Sequence, residues 1–125
     1  MIQVFLKDSK KGGHYAPGVI SKGMLYISGQ LPIDHSTGKL VSDNLEEQVK
    51  QTLHNVELVV KEAGLTKEDI VQCRIYTPDI KYWERIDTIY KDFFGNHMPA
   101  RAVASTNDLH MGALIVIEAI AETKE

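Results

Sequence analysis

The chain has 125 residues, 43% hydrophobic and 25% charged, values that exclude a disordered or collagen-like polymer and suit one domain with a real core. Its net charge of −3 is spread over both halves, which leaves no basic face for phosphate contacts and argues against a nucleic-acid partner. A single cysteine, Cys73, excludes an intrachain disulfide and fits a reducing compartment.

Residues 1–7 lack both the basic lead and the apolar stretch of a signal peptide. The longest apolar run, residues 113–117, falls far short of the roughly 20 residues a membrane span needs. A cytoplasmic location is expected. Val19-Ile20 and Met24-Leu25-Tyr26-Ile27 flank Ser21-Lys22-Gly23, the pattern of a hairpin. Pro32 and residues 34–38 then predict a loop.

From residue 43 the period lengthens. Leu45, Val49, Leu53, Val56, Val60 and Ala63 recur every three to four residues and predict an amphipathic helix. Asp43 with Glu46 three residues on reads as its cap, and Gly64 as its stop. Glu46–Lys50 and Glu57–Lys61 are expected as pairs on the solvated side. Thr66-Lys67-Glu68-Asp69 reads as a capped turn before a half-buried strand over residues 70–77, where Val71, Cys73 and Ile75 alternate with Gln72, Arg74 and Tyr76. A second helix follows from about Tyr82, with Trp83, Ile86, Tyr90 and Phe93 on one face and Gly95 as its end. Residues 101–105 form a strand of small residues. Residues 113–121 are almost continuously apolar, which predicts a central strand covered on both faces.

The order is β-β-α-β-α-β, an α+β fold in a single domain over residues 1–125 with both helices on one face of the sheet. Something must cover the other face, and the apolar last strand predicts another subunit there.

Few residues carry chemistry. Gly12-Gly13 and Gly18 match neither nucleotide-binding spacing. The histidines at 14, 35, 54, 97 and 110 form no HxH or HExxH pattern, and with one cysteine a zinc site is not expected. His54 belongs on a wet helix stripe beside Lys50 and Glu57, and Cys73 reads as a buried, inert thiol. Arg101 opens a strand among small apolar neighbours. It either pairs with a carboxylate of the protein or offers its fork to an anionic ligand. Glu118, in the apolar strand, must likewise be paired or protonated, and an Arg101–Glu118 pair would satisfy both.

Tyr26-Ile27-Ser28-Gly29-Gln30-Leu31-Pro32, Pro99-Ala100-Arg101 and Gly112-Ala113-Leu114-Ile115-Val116-Ile117-Glu118-Ala119-Ile120-Ala121 together resemble the RidA/YjgF family of reactive-intermediate deaminases. Gly13-His14-Tyr15 and the long helix fall in the same order. The resemblance implies a chorismate-mutase-like fold assembled as a homotrimer with clefts between subunits. It implies hydrolysis of small enamine or imine intermediates to 2-keto acids and ammonia, without cofactors. It also makes Arg101 the clamp for the substrate carboxylate and Tyr15 a catalytic residue lining the cleft. Ser28 and Gly29 become substrate-binding positions where a backbone N–H meets the ligand.

Three positions depart from the resemblance. Where its deaminases carry a glutamate thought to activate water, this chain has Val116, which can neither orient water nor accept a proton. Asp87 stands in place of an asparagine, and Val103 in place of a cysteine. Asp87 has Lys91 four residues on and reads as a solvated helix pair. Asp108 and His110 precede the last strand near the expected cleft rim. Two functions stay open: imine deaminase, or a non-catalytic small-carboxylate binding or regulatory trimer. The endoribonuclease label also attached to the family is disfavoured by the acidic balance.

Overall fold

A computed structural model describes residues 1–7 and 13–124; Gly12 lies outside them. The expected hairpin forms from Gly18–Ser21 (β2) and Met24–Gln30 (β3). Its turn places Lys22 and Gly23 at φ 50° and 79°, the mirror-image two-residue turn whose twist matches the strands and which glycine enters without strain. An unanticipated strand, Ile2–Val4 (β1), adds antiparallel to β2. The expected loop after Pro32 is instead a minimal hairpin of Ile33–Asp34 (β4) and Lys39–Leu40 (β5). It is closed locally, because the Asp34 carboxylate accepts from the Ser36 amide and hydroxyl at 2.9 and 2.6 Å.

The first helix, α1, spans Leu45–Glu62, and its cap is Asn44 rather than Asp43: the Asn44 Oδ1 accepts from the Glu47 amide at 2.9 Å. Glu46, freed from a capping role, pairs with Arg85 and not with Lys50, taking two hydrogen bonds of 2.7 Å each. Beyond Ala63, Gly64 sits at φ 79°, and the Leu65 and Gly64 amides donate to the Val60 and Lys61 carbonyls at 3.0 and 2.9 Å. This is the Schellman closure that the glycine predicted. The inward face carries Val49, Leu53, Val56, Val59 and Val60, but also a buried polar stripe of Gln48, Thr52 and Asn55.

The Thr66–Asp69 capping box forms as expected and leads into Ile70–Thr77 (β6). The second helix, Trp83–Phe94 (α2), ends at Gly95 with φ 61°. Ala100–Ser105 (β7) then runs parallel to β6, making β6–α2–β7 a crossover unit. The last strand, Val116–Glu122 (β8), starts later than predicted and is antiparallel to both β3 and β6.

The sheet is therefore mixed and six-stranded, in the order β1-β2-β3-β8-β6-β7, with more strands than the β-β-α-β-α-β order held. Both helices cover one face, and the core lies between: Leu25 and Ile27 from β3, Cys73 and Ile75 from β6, Ile117, Ala119 and Ala121 from β8, against α1 and α2. Gly18 lets the hairpin root approach α1, since a Cβ there would lie 2.9 Å from Val59 Cγ1 and 3.0 Å from Leu25 Cδ1. The strand β8 is central, as expected, but the helices cover only one of its faces. Val116, Glu118 and Ile120 are half-buried on the other. The apolar side chains of Val116 and Ile120 hid that alternation in the sequence. Among the described residues no helix is long and apolar enough to cross a membrane.

Candidate active site

Arg101 is the second residue of β7 and lies opposite Cys73 of β6. Its side chain points towards α2, where Nη1 donates to Asp87 Oδ1 at 2.6 Å. The guanidinium carbon lies 5.3 Å from the centre of the Trp83 ring and 4.9 Å from that of Tyr90. Trp83, Asp87 and Tyr90 are spaced i, i+4, i+7, so one helical stripe supplies both aromatic walls and the carboxylate. Two expectations are thereby corrected. Arg101 does not pair with Glu118, because the two project from opposite faces of the sheet. Asp87 is not a helix-surface partner of Lys91, because the crossover lays α2 over β7. The Arg101 side chain is only 22% exposed, yet just one of its five N–H donors meets an acceptor among the described residues.

Tyr15, Ser28 and Gly29 gather elsewhere. The β3–β8 ladder shifts register between Ile27 and Gln30 and so skips Ser28 and Gly29. The Ser28 hydroxyl donates to the Ala16 carbonyl at 2.7 Å, and its amide to the Pro17 carbonyl at 2.9 Å. That second bond spends the Ser28 amide on tying down the loop that carries Tyr15. Gln30 Nε2 donates to the Ser28 carbonyl at 2.9 Å and braces the shifted segment. Tyr15 is 54% exposed. A Cβ on Gly29 would lie 3.1 Å from Val116 Cγ1, which places Val116 in the same neighbourhood. Two strands, β8 and β6, separate β3 from β7, roughly 14 Å at ordinary strand spacing. Within one chain, Arg101 and the Tyr15–Ser28–Gly29 group do not meet.

A third cluster was not read from the sequence. On the helix-free face, a depression of about 260 Å³ is lined by Tyr26, Ser28, Arg74, Glu118 and Ile120, among others. The Tyr76 hydroxyl donates to Glu118 Oε1 at 2.8 Å, with Arg74 Nη1 3.6 Å from the same oxygen. The hydrogen bond to Glu118 raises the Tyr76 pKa. Arg74 and Glu118 face each other in the β6–β8 register, a pairing visible only once that register is known.

The remaining candidates are quiet. Burial pushes the Cys73 thiol up to about 11, outweighing the Tyr90 hydroxyl and the Arg101 charge, which pull it down. It is no ready thiolate. The Tyr90 hydroxyl is buried, and burial, helped by the Cys73 thiol beside it, raises its pKa as well. His54 is exposed on the rim of a groove between the helices, with Lys50 and Glu57. Asp108 and His110 are exposed before β8, and Val103 packs against the core. No group of three or more His, Cys, Asp or Glu side chains among the described residues could hold a metal.

Residues 3–123 match the family model described as endoribonuclease L-PSP. The chain belongs to the RidA/YjgF family. A RutC family protein of Saccharolobus solfataricus is 36% identical over 116 residues, 93% of this chain and 92% of that one. The human 2-iminobutanoate/2-iminopropanoate deaminase is 37% identical over 109 residues, 87% and 80% of the two chains. The solved structure of Escherichia coli TdcF with bound serine superposes with a TM-score of 0.92 at 28% identity, covering 99% of this chain and 100% of that one. At the candidate site the chain sets a carboxylate, Asp87, on the arginine and an apolar Val116 beside Gly29.

Proposed function

We propose that the chain hydrolyses small 2-imino or enamine acids, of the 2-iminobutanoate and 2-iminopropanoate type, to 2-keto acids and ammonia. It acts in the cytoplasm, as a homotrimer, without metal or organic cofactor. In each cleft Arg101 of one subunit faces Tyr15, Ser28 and Gly29 of the next, which is how groups set apart in one chain form one site. The observation that carries this reading is Arg101 itself: a largely enclosed guanidinium, walled by two rings, with only one of its donors engaged by the described residues. The unspent fork suits a planar carboxylate. Deaminases of this name at about 36% identity support the same chemistry.

Water adds to the carbon of the C=N bond, the C–N bond then breaks, and nitrogen leaves as ammonia while the carbon becomes the ketone of the product. An imine is already electrophilic, so holding it in a confined cleft supplies much of the acceleration. Val116 beside Gly29 favours a second reading, a small-carboxylate binding trimer without turnover, because no carboxylate stands there to activate water.

The test is to generate 2-iminopropanoate or 2-iminobutanoate in situ with an amino-acid oxidase or a dehydratase and follow its loss. Wild type is expected to accelerate it and Arg101→Ala to return to the uncatalysed rate. Wild type and Arg101→Ala both at the uncatalysed rate would refute deamination of these substrates. Activity gained only in Val116→Glu would select the binding reading. Light scattering should give about three times the 14.0 kDa chain mass; a monomer would remove the shared cleft.

A further inference from the structure

The Arg101–Asp87 pair is half a binding site for each sign of charge. The guanidinium uses one donor and the carboxylate one oxygen, at 2.6 Å; Asp87 Oδ2 accepts nothing from the described residues. Both side chains keep access to solvent, at 22% and 32% exposure. A ligand carboxylate that docks on the free edge of the guanidinium therefore arrives next to the Asp87 charge. For a plain carboxylate that neighbour is repulsive. A ligand with a cationic nitrogen on the carbon next to its carboxylate brings a partner for each group.

We infer that Asp87 is a specificity-determining residue that makes the site select acids bearing a protonated nitrogen, iminium or ammonium, over 2-oxo acids and other plain carboxylates. The discrimination is built from an attractive and a repulsive element together. It has a consequence for turnover. The iminium form is bound and the 2-oxo product, which has lost the nitrogen, is expelled by the charge that retained the substrate. Lys91, the cation four residues on from Asp87 along α2, forms no ion pair with it among the described residues, so it leaves the charge on Asp87 in force. The side chains that wall the pair, Trp83, Tyr90 and Cys73, carry no charge that could replace it.

The inference rests on the proposed reading of Arg101 as the carboxylate clamp, and the test separates the two. L-alanine and L-serine serve as stable ammonium acids, pyruvate and 2-oxobutanoate as plain carboxylates. Each is titrated by NMR or calorimetry into wild type, Asp87→Asn, Asp87→Ala and Arg101→Ala. Asparagine keeps an oxygen acceptor for Arg101 without the charge, and the alanine variant with a thermal melt controls for loosening of α2. A charge-assisted contact at a partly exposed site is worth about tenfold. Wild type should therefore prefer the amino acids by about that factor, and both Asp87 variants should lose or reverse the preference. If Arg101→Ala abolishes binding but the Asp87 variants leave the ratio unchanged, the inference is overturned and the clamp stands. If Arg101→Ala binds every ligand as wild type does, the proposed reading falls with it.

Discussion

Asn55 is the side chain on which the placement of the Ser28–Gly29 segment most depends. It is fully buried on α1, and its amide nitrogen donates to the Leu31 and Ile33 carbonyls at 2.9 and 2.8 Å. Its oxygen accepts from Gln51 Nε2 at 2.9 Å. Those two carbonyls belong to the chain just after the ladder skips Ser28 and Gly29, so Asn55 fixes where β3 ends. Asn55→Ala would strand both carbonyls. Each stranded acceptor costs about 1–3 kcal/mol, and since Leu31 and Ile33 are only half-buried the lower end applies, about 2–3 kcal/mol in all. Asn55→Asp is the sharper perturbation. It preserves volume but sets a carboxylate against two carbonyl oxygens, so it should cost at least as much at pH 7 and less at pH 4, where protonation restores one donor. Urea unfolding at both pH values measures this. An Asn55→Ala variant within about 0.5 kcal/mol of wild type, or an Asn55→Asp variant insensitive to pH, would show that the amide does not anchor the segment.

Two further outcomes follow from the titrating groups. The Arg85 hydrogen bond, ahead of the other contributions, holds the Glu46 carboxyl at about 2 against an ordinary 4.5; a depressed folded-state pKa contributes stability above about 4.5 that is lost as pH falls towards 2. Glu46→Gln should therefore melt below wild type at pH 7, with the two curves converging near pH 2, and a gap that persists in acid would contradict the pairing. Cys73 is fully buried with its pKa near 11, so labelling by a disulfide reagent at pH 8 should wait for unfolding; labelling of the native protein within seconds would mean that the site around Arg101 is open to reagents.

Much of the fold was legible because it rests on local rules. The α1 period, the Gly64 and Gly95 stops, the Thr66–Asp69 box and the Lys22–Gly23 turn all depend on residues within a few positions of one another, and all appear where the sequence puts them. What escaped depends on contacts distant along the chain. Asp43 and Asn44 are equivalent capping candidates by type, and which one serves is settled by where the preceding loop enters α1. Gln48 and Asn55, on the buried face of α1, satisfy backbone groups of residues 31, 33, 42 and 114 that no local pattern reveals. The strand β1 is three residues long and pairs with β2, too short to show a period.

The candidate site divides along the same line. Arg101 stood out in sequence because an arginine among small apolar residues must be accounted for, whatever the fold. Its partner did not stand out, since Asp87 four residues before Lys91 satisfies a helix rule on its own. The overlooked signal was the spacing of Trp83, Asp87 and Tyr90, which puts one acid between two rings on one helical stripe. A parallel crossover then brings that stripe over β7, and only there does the acid become the partner of Arg101 rather than of Lys91. The same geometry explains why charge type, more than shape, should govern which ligand enters. The rings fix the guanidinium in place, so a ligand cannot draw Arg101 away from Asp87 without giving up both stacking contacts. It must meet the pair as a pair.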